Sequence, residues 1–181
     1  MSHKTVSINR APVLTLWAAV VAERLGFDED ASLTLGRAVA ALNAQSKGRR
    51  LGLFKPKEKK EEKPRPQAPV ETRRVEVCGR AVLVRKTKQG IRAVLGGRLI
   101  RPDTVRKYLA GAFGEHLGAV RSALRKLAGS YEPSELERAA YPLYEQFRPV
   151  VPSDVRGWGA KGELDLGLLR RLAGRRRVRA R

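Results

Sequence analysis

The chain has 181 residues, and its 38 Lys and Arg against 18 Asp and Glu leave a formal net charge of +20. A single cysteine, Cys78, excludes an intramolecular disulfide and a Cys-rich zinc site. The longest apolar run, residues 13–22, is too short to span a bilayer, and the first ten residues have no apolar signal core, so the chain reads as cytoplasmic.

The first elements in chain order are two helices. Pro12 suits the first turn of one, where its missing N–H costs nothing, and Val13, Leu16, Trp17, Val20 and Val21 share a face until Gly26 ends it. Asp28 or Asp30 caps the next, with Leu35, Ala38, Val39 and Leu42 as its stripe; it fades over residues 43–47 and stops near Gly48. Two helices of this size bury little alone. They must dock on the rest of the chain, recruit further elements, or pair with a second copy as a homodimer. Residues 54–69, FKPKEKKEEKPRPQAP, lack any apolar repeat and read as a flexible linker.

Short strands then alternate with tight turns. Residues 75–77, 81–84, 91–95 and 98–100 predict a small antiparallel meander, with turns at Gly79-Arg80, Lys88-Gln89-Gly90 and Gly96-Gly97. A helix begins at Pro102-Asp103-Thr104 and is interrupted at Gly114. A second ends at Gly129. A third starts at Pro133 and carries Leu136, Ala140, Leu143, Tyr144 and Phe147, with Pro142 expected to kink or split it. A last helix spans about residues 163–173. The fold class is therefore mainly α with a small antiparallel β meander: an N-terminal helical hairpin, a linker, and β-hairpins followed by a helical bundle. The implied divisions are 1–53, 54–73, 74–173 and an Arg-rich tail, 174–181.

Charge is unevenly spread along this plan. Residues 71–129 hold 14 basic and 4 acidic side chains, residues 130–167 hold 4 and 7, and residues 168–181 hold 7 arginines and no acid. A surplus segregated in this way points to a polyanion, and nucleic acid is the commonest one. The tail residues Arg175, Arg176, Arg177, Arg179 and Arg181 form the densest group, suited to gripping phosphates as a flexible arm. A solubilising tail would look the same. Lys47, Arg49 and Arg50 form a second group, which also suits the dipole of a helix C-terminus. Arg106 and Lys107 face outward on a helix that resembles a recognition helix, and Arg121, Arg125 and Lys126 lie on the next. Arg85, Lys86 and Lys88 on the hairpin could touch phosphates as a wing, or only protect a sheet edge.

Chemistry beyond binding finds little support. Gly157-Trp158-Gly159-Ala160-Lys161-Gly162 lacks Walker spacing and reads as a loop whose Trp158 fills an apolar pocket. His3 and His116 have no second ligand at helical spacing. Asp103, Glu115, Asp154, Glu163 and Asp165 are too scattered in sequence to define a two-metal nuclease. No catalytic residue, metal or cofactor is assigned.

The segments LNAQSKGRRLG at 42–52 and GWGAKGELDL at 157–166 resemble those of an uncharacterised bacterial protein family, a resemblance that implies no activity. The excess of Arg, 26 against 12 Lys, fits a GC-rich bacterial source. The reading favoured by the residues is a non-catalytic binder of double-stranded DNA with low sequence specificity, nucleoid-associated if so. An RNA- or ribosome-associated protein, or a helical adaptor with a basic localising tail, are the alternatives.

Overall fold

A helix that is apolar on every side has to be surrounded. Residues 13–22 form such a helix in the computed structural model of the chain, which describes residues 4–50, 71–155 and 160–179. Helix α1 (Arg10–Arg24) is buried without a break from Pro12 to Ala22, rather than along the single face expected from its Val and Leu spacing. Thr15 is also buried, and its hydroxyl donates to the Ala11 carbonyl at 2.9 Å, so no polar atom is stranded there. Helix α2 (Glu29–Arg50) is capped by Asp28, whose Oδ1 accepts from the Ala31 N–H at 2.8 Å. It does not fade at residues 43–47 but continues to Arg50. Tertiary contacts hold that last stretch: Asn43 is buried and accepts bonds from Arg80 and Tyr141.

The meander is present and antiparallel. Strands β2 (Thr72–Val77), β3 (Arg80–Thr87), β4 (Gly90–Leu95) and β5 (Arg98–Leu99) lie in chain order, so β2 starts two residues inside the span read as linker; β1 is the separate N-terminal strand described below. Val77, Val82, Val84 and Ala93 face the core. The first turn is Cys78-Gly79, one residue earlier than expected. Both residues have positive φ, 49° and 70°, which is the geometry that joins two twisted strands by a two-residue loop.

Cys78 adopts this conformation while 1% exposed, and burial pushes its thiol up to about 12. The reactive thiolate is therefore scarce at neutral pH and screened from reagents. Folded protein should leave an aromatic disulfide reagent unreacted over minutes, with one equivalent of thiol appearing in denaturant. Immediate reaction of native protein would contradict this burial.

The helices after the sheet follow the expected order. They are α3 (Pro102–Phe113), a 3-10 turn at Gly114–His116, α4 (Leu117–Gly129) and α5 (Pro133–Phe147). Pro142 does not split α5. The Arg138 carbonyl, four residues before it, loses its helical donor, and both residues lie on the exposed side where water can replace it.

Two strands were not anticipated. β1 (Thr5–Ile8) pairs antiparallel with β6 (Gly162–Asp165), with Val6 opposite Leu164, and Val150 bridges Glu163 on the other side. The helix expected from residue 163 begins instead at Leu166 as α6 (Leu166–Arg179). Asp165 caps it, accepting from the Gly167 and Leu168 N–H groups at 2.7 and 3.2 Å. Its carboxyl is held below the usual value: a burial effect in the opposite sense is outweighed by those two bonds and by Arg171. α6 runs on through residue 174, so the segment read as an arm is helical as far as Arg179. Arg and Leu are good helix formers, and they outnumber the poorer ones, Gly167, Gly174 and Val178.

One hydrophobic core draws on both sides of the linker. Trp17 of α1 is fully buried; its indole N–H donates to the Ala140 carbonyl of α5 at 2.8 Å and its ring meets Phe147 edge-on at 5.3 Å. The N-terminal helices dock on the rest of the chain, and α1 keeps no uncovered apolar face between Pro12 and Ala22.

Candidate nucleic-acid interface

Whether a cation can meet a phosphate depends first on whether a carboxylate already holds it. Several are held. Asp30, in the acidic first turn of α2, lies between Arg92 of β4, at 3.3 Å, and Arg106 of α3; Arg106 also reaches Asp103 at 2.8 Å. Arg92 is only 6% exposed, so this network is a joint between sheet and helices. Arg125 pairs with Glu23 of α1 at 3.1 Å, and Arg171 with Asp165 at 3.3 Å. Two of the cations expected to face a groove, Arg106 and Arg125, are thus turned to stitching α3 and α4 onto the N-terminal helices. Val105 and Leu109 are buried as the recognition-helix reading requires, but on that helix face Lys107 is left as the exposed cation.

The remaining expected residues divide by place. Lys86 and Lys88 are exposed on and after β3; Arg85 is half-buried, and its Nε has no hydrogen-bond partner among the described residues. Glu71, Arg73, Val84, Lys86 and Ile91 line a hollow of about 330 Å³, so its two cations are accompanied by an acid. Arg121 is half-buried on α4. Lys126 of α4 and Arg170 of α6 border a groove of about 330 Å³ floored by Ala119, Ala123 and Ala173. Arg175 is exposed on α6. The side chains of Arg49, Arg50, Arg176, Arg177 and Arg179 lie outside the described residues, although the backbone places the first pair at the end of α2 and the others on α6. Arg181 and the loop containing Trp158 are also outside them.

Among the described residues, cations from several segments also gather around Lys47, and most of these are not grouped in the sequence. Lys47 stands one turn beyond Asn43 on α2, on the same helix face. Asn43 Oδ1 accepts from Arg80 Nη2 at 3.0 Å and from the Tyr141 hydroxyl at 3.2 Å. Arg10, at the start of α1, donates from Nε to the Pro149 carbonyl at 2.9 Å. Arg148, just past α5, donates its N–H to the Tyr144 carbonyl at 2.7 Å, and the Tyr144 hydroxyl reaches the Arg10 carbonyl at 3.4 Å. All four cations are half-buried. The Lys47 ammonium is held below its usual value, first by burial and then by the positive charges of Arg148, Arg10 and Arg80; Glu145 alone acts the other way. Arg10, Arg80, Arg148 and Glu145 thus lie within electrostatic reach of the Lys47 ammonium. Arg10, Arg80 and Arg148 carry no local sequence signal, because they come from three distant segments.

Among the described residues, no three His, Cys, Asp or Glu side chains gather where a metal could be held, and no helix is long and apolar enough to cross a membrane. The molecule is a mainly helical α+β protein. Comparison of the chain with protein-family models, curated proteins and solved structures gives no match.

Proposed function

We propose that the protein binds nucleic acid without catalysis, gripping the backbone of double-stranded DNA with little sequence specificity. The observation that carries this reading is the junction at Lys47. There four cations lie near one another, none in an ion pair with a described carboxylate and with Glu145 as the acid in electrostatic reach of Lys47, whereas cations elsewhere in the molecule are paired. Gathering like charges costs free energy that a line of phosphates would offset, with release of their counterions. Lys107, Lys86, Lys88 and Arg175 add exposed charge at other places on the surface. Base-reading features are sparse, since Arg106 is occupied, and that favours backbone contacts over sequence readout.

Nuclease-treated protein titrated into a labelled random duplex and an RNA hairpin in dilute buffer tests the reading. Tight binding to the duplex supports it, and preference for the hairpin moves the partner to RNA. Indifference to both would end it, leaving the adaptor reading.

A further inference from the structure

We propose that the junction of α1, α2, β3 and α5 is a phosphate-binding site built from Arg10, Lys47, Arg80 and Arg148. The four side chains come from α1, α2, β3 and the residue just past α5, so their proximity is a product of the tertiary fold rather than of a basic run in the sequence. Each is half-buried, its stem packed on the fold. None forms an ion pair with a described carboxylate, although the fold elsewhere pairs Arg92, Arg106, Arg125 and Arg171.

Neutral groups orient two of the four. Arg10 spends one N–H on the Pro149 carbonyl and Arg80 one on Asn43 Oδ1, which aims the guanidinium groups without cancelling their charge. Each guanidinium has five N–H donors, so most remain available to an incoming anion. Tyr141 and Tyr144 line the junction, and the Tyr144 hydroxyl is pushed up to about 12, chiefly by burial. It therefore stays a neutral hydrogen-bonding group and adds no negative charge to compete. A phosphate, with several acceptor oxygens around one centre, can engage donors brought from several segments, and Glu145, the acid in electrostatic reach of Lys47, forms no ion pair that it would have to displace.

The phosphate could belong to a nucleic-acid backbone or to a small phosphorylated molecule. Assigning it to the backbone rests on the function proposed above, while the site itself does not. The experiment uses the full-length protein with labelled lysine side chains, followed by NMR as inorganic phosphate replaces chloride at constant ionic strength. The Lys47 signal is expected to shift saturably, and its pKa to rise when phosphate is present. Arg148→Gln, which removes a side chain with no hydrogen bond of its own among the described residues, should weaken phosphate binding about tenfold or more. Arg98→Gln, an exposed residue of β5 that is assigned no contact, should leave it unchanged. A Lys47 pKa that is the same in phosphate and chloride, or an Arg148→Gln protein that folds and binds phosphate as tightly as the parent, overturns the site. Competition by a random duplex assigns the bound group to a nucleic-acid backbone. If phosphate binds but neither duplex nor RNA displaces it, the site stands as one for a small phosphorylated ligand and the nucleic-acid reading falls.

Discussion

Replacing Gly36 by Ala is expected to destabilise the protein by about 3 kcal/mol, although Gly→Ala in an open helix is favourable by about 1 kcal/mol. The sign reverses because of what Gly36 touches. A Cβ there would lie 2.3 Å from the Thr15 carbonyl oxygen and 2.9 Å from the Ala19 nitrogen, both backbone atoms of the buried helix α1. Neither can move without shifting a helix that is enclosed along eleven consecutive residues, Pro12 to Ala22. The two helices must separate, and the core around Trp17 and Val39 loosens with them. Gly111 supplies the control. It lies in α3 with nothing within 4 Å of the added carbon, so Gly111→Ala should gain about 0.5–1 kcal/mol. Urea unfolding of both variants at equal m-value reads the pair. A neutral or stabilising Gly36→Ala would mean that α1 and α2 do not pack at this distance.

That contact illustrates which parts of the fold were legible in the sequence. The meander could be read because its signals are local: alternating Val residues and glycines at turns determine both strands and pairing. The boundaries of α3, α4 and α5 were marked by Pro102, Gly114, Gly129 and Pro133 in the same way. β1 and β6 were missed because each has four residues and its partner lies at the other end of the chain. α1 was given one buried face when its composition, with Thr15 the only polar residue between Pro12 and Ala22, already implied burial all round. The candidate interface divided along the same line. Charge could be counted from the sequence, but not whether Asp30 would lie against Arg106 or Glu23 against Arg125. Lys47 was noticed beside Arg49 and Arg50, whereas its partners Arg10, Arg80 and Arg148 are brought to it only by docking α1 and α5 beside α2.

Affinity for a random duplex should fall about a thousandfold between roughly 50 and 200 mM salt. The magnitude follows from the number of phosphates neutralised. Each neutralised phosphate contributes about −0.9 to the slope of log affinity against log salt, so six contacts give a slope near −5. The four cations at the Lys47 junction and two of the exposed cations elsewhere on the surface, such as Lys107 and Arg175, would make six contacts on a duplex that follows the surface. Deleting residues 174–181 removes five arginines, Arg175, Arg176, Arg177, Arg179 and Arg181, while leaving the buried Leu169 and Leu172 of α6 in place. That protein should fold, and the part of the slope it loses measures how many tail arginines meet phosphate. An unchanged slope after deletion assigns all the contacts to the folded body. Apolar contacts release few counterions, so a complex formed through them would hold its affinity across the same range of salt. A flat response from the intact protein would therefore leave its net charge of +20 without a role in binding and remove the basis for the nucleic-acid reading.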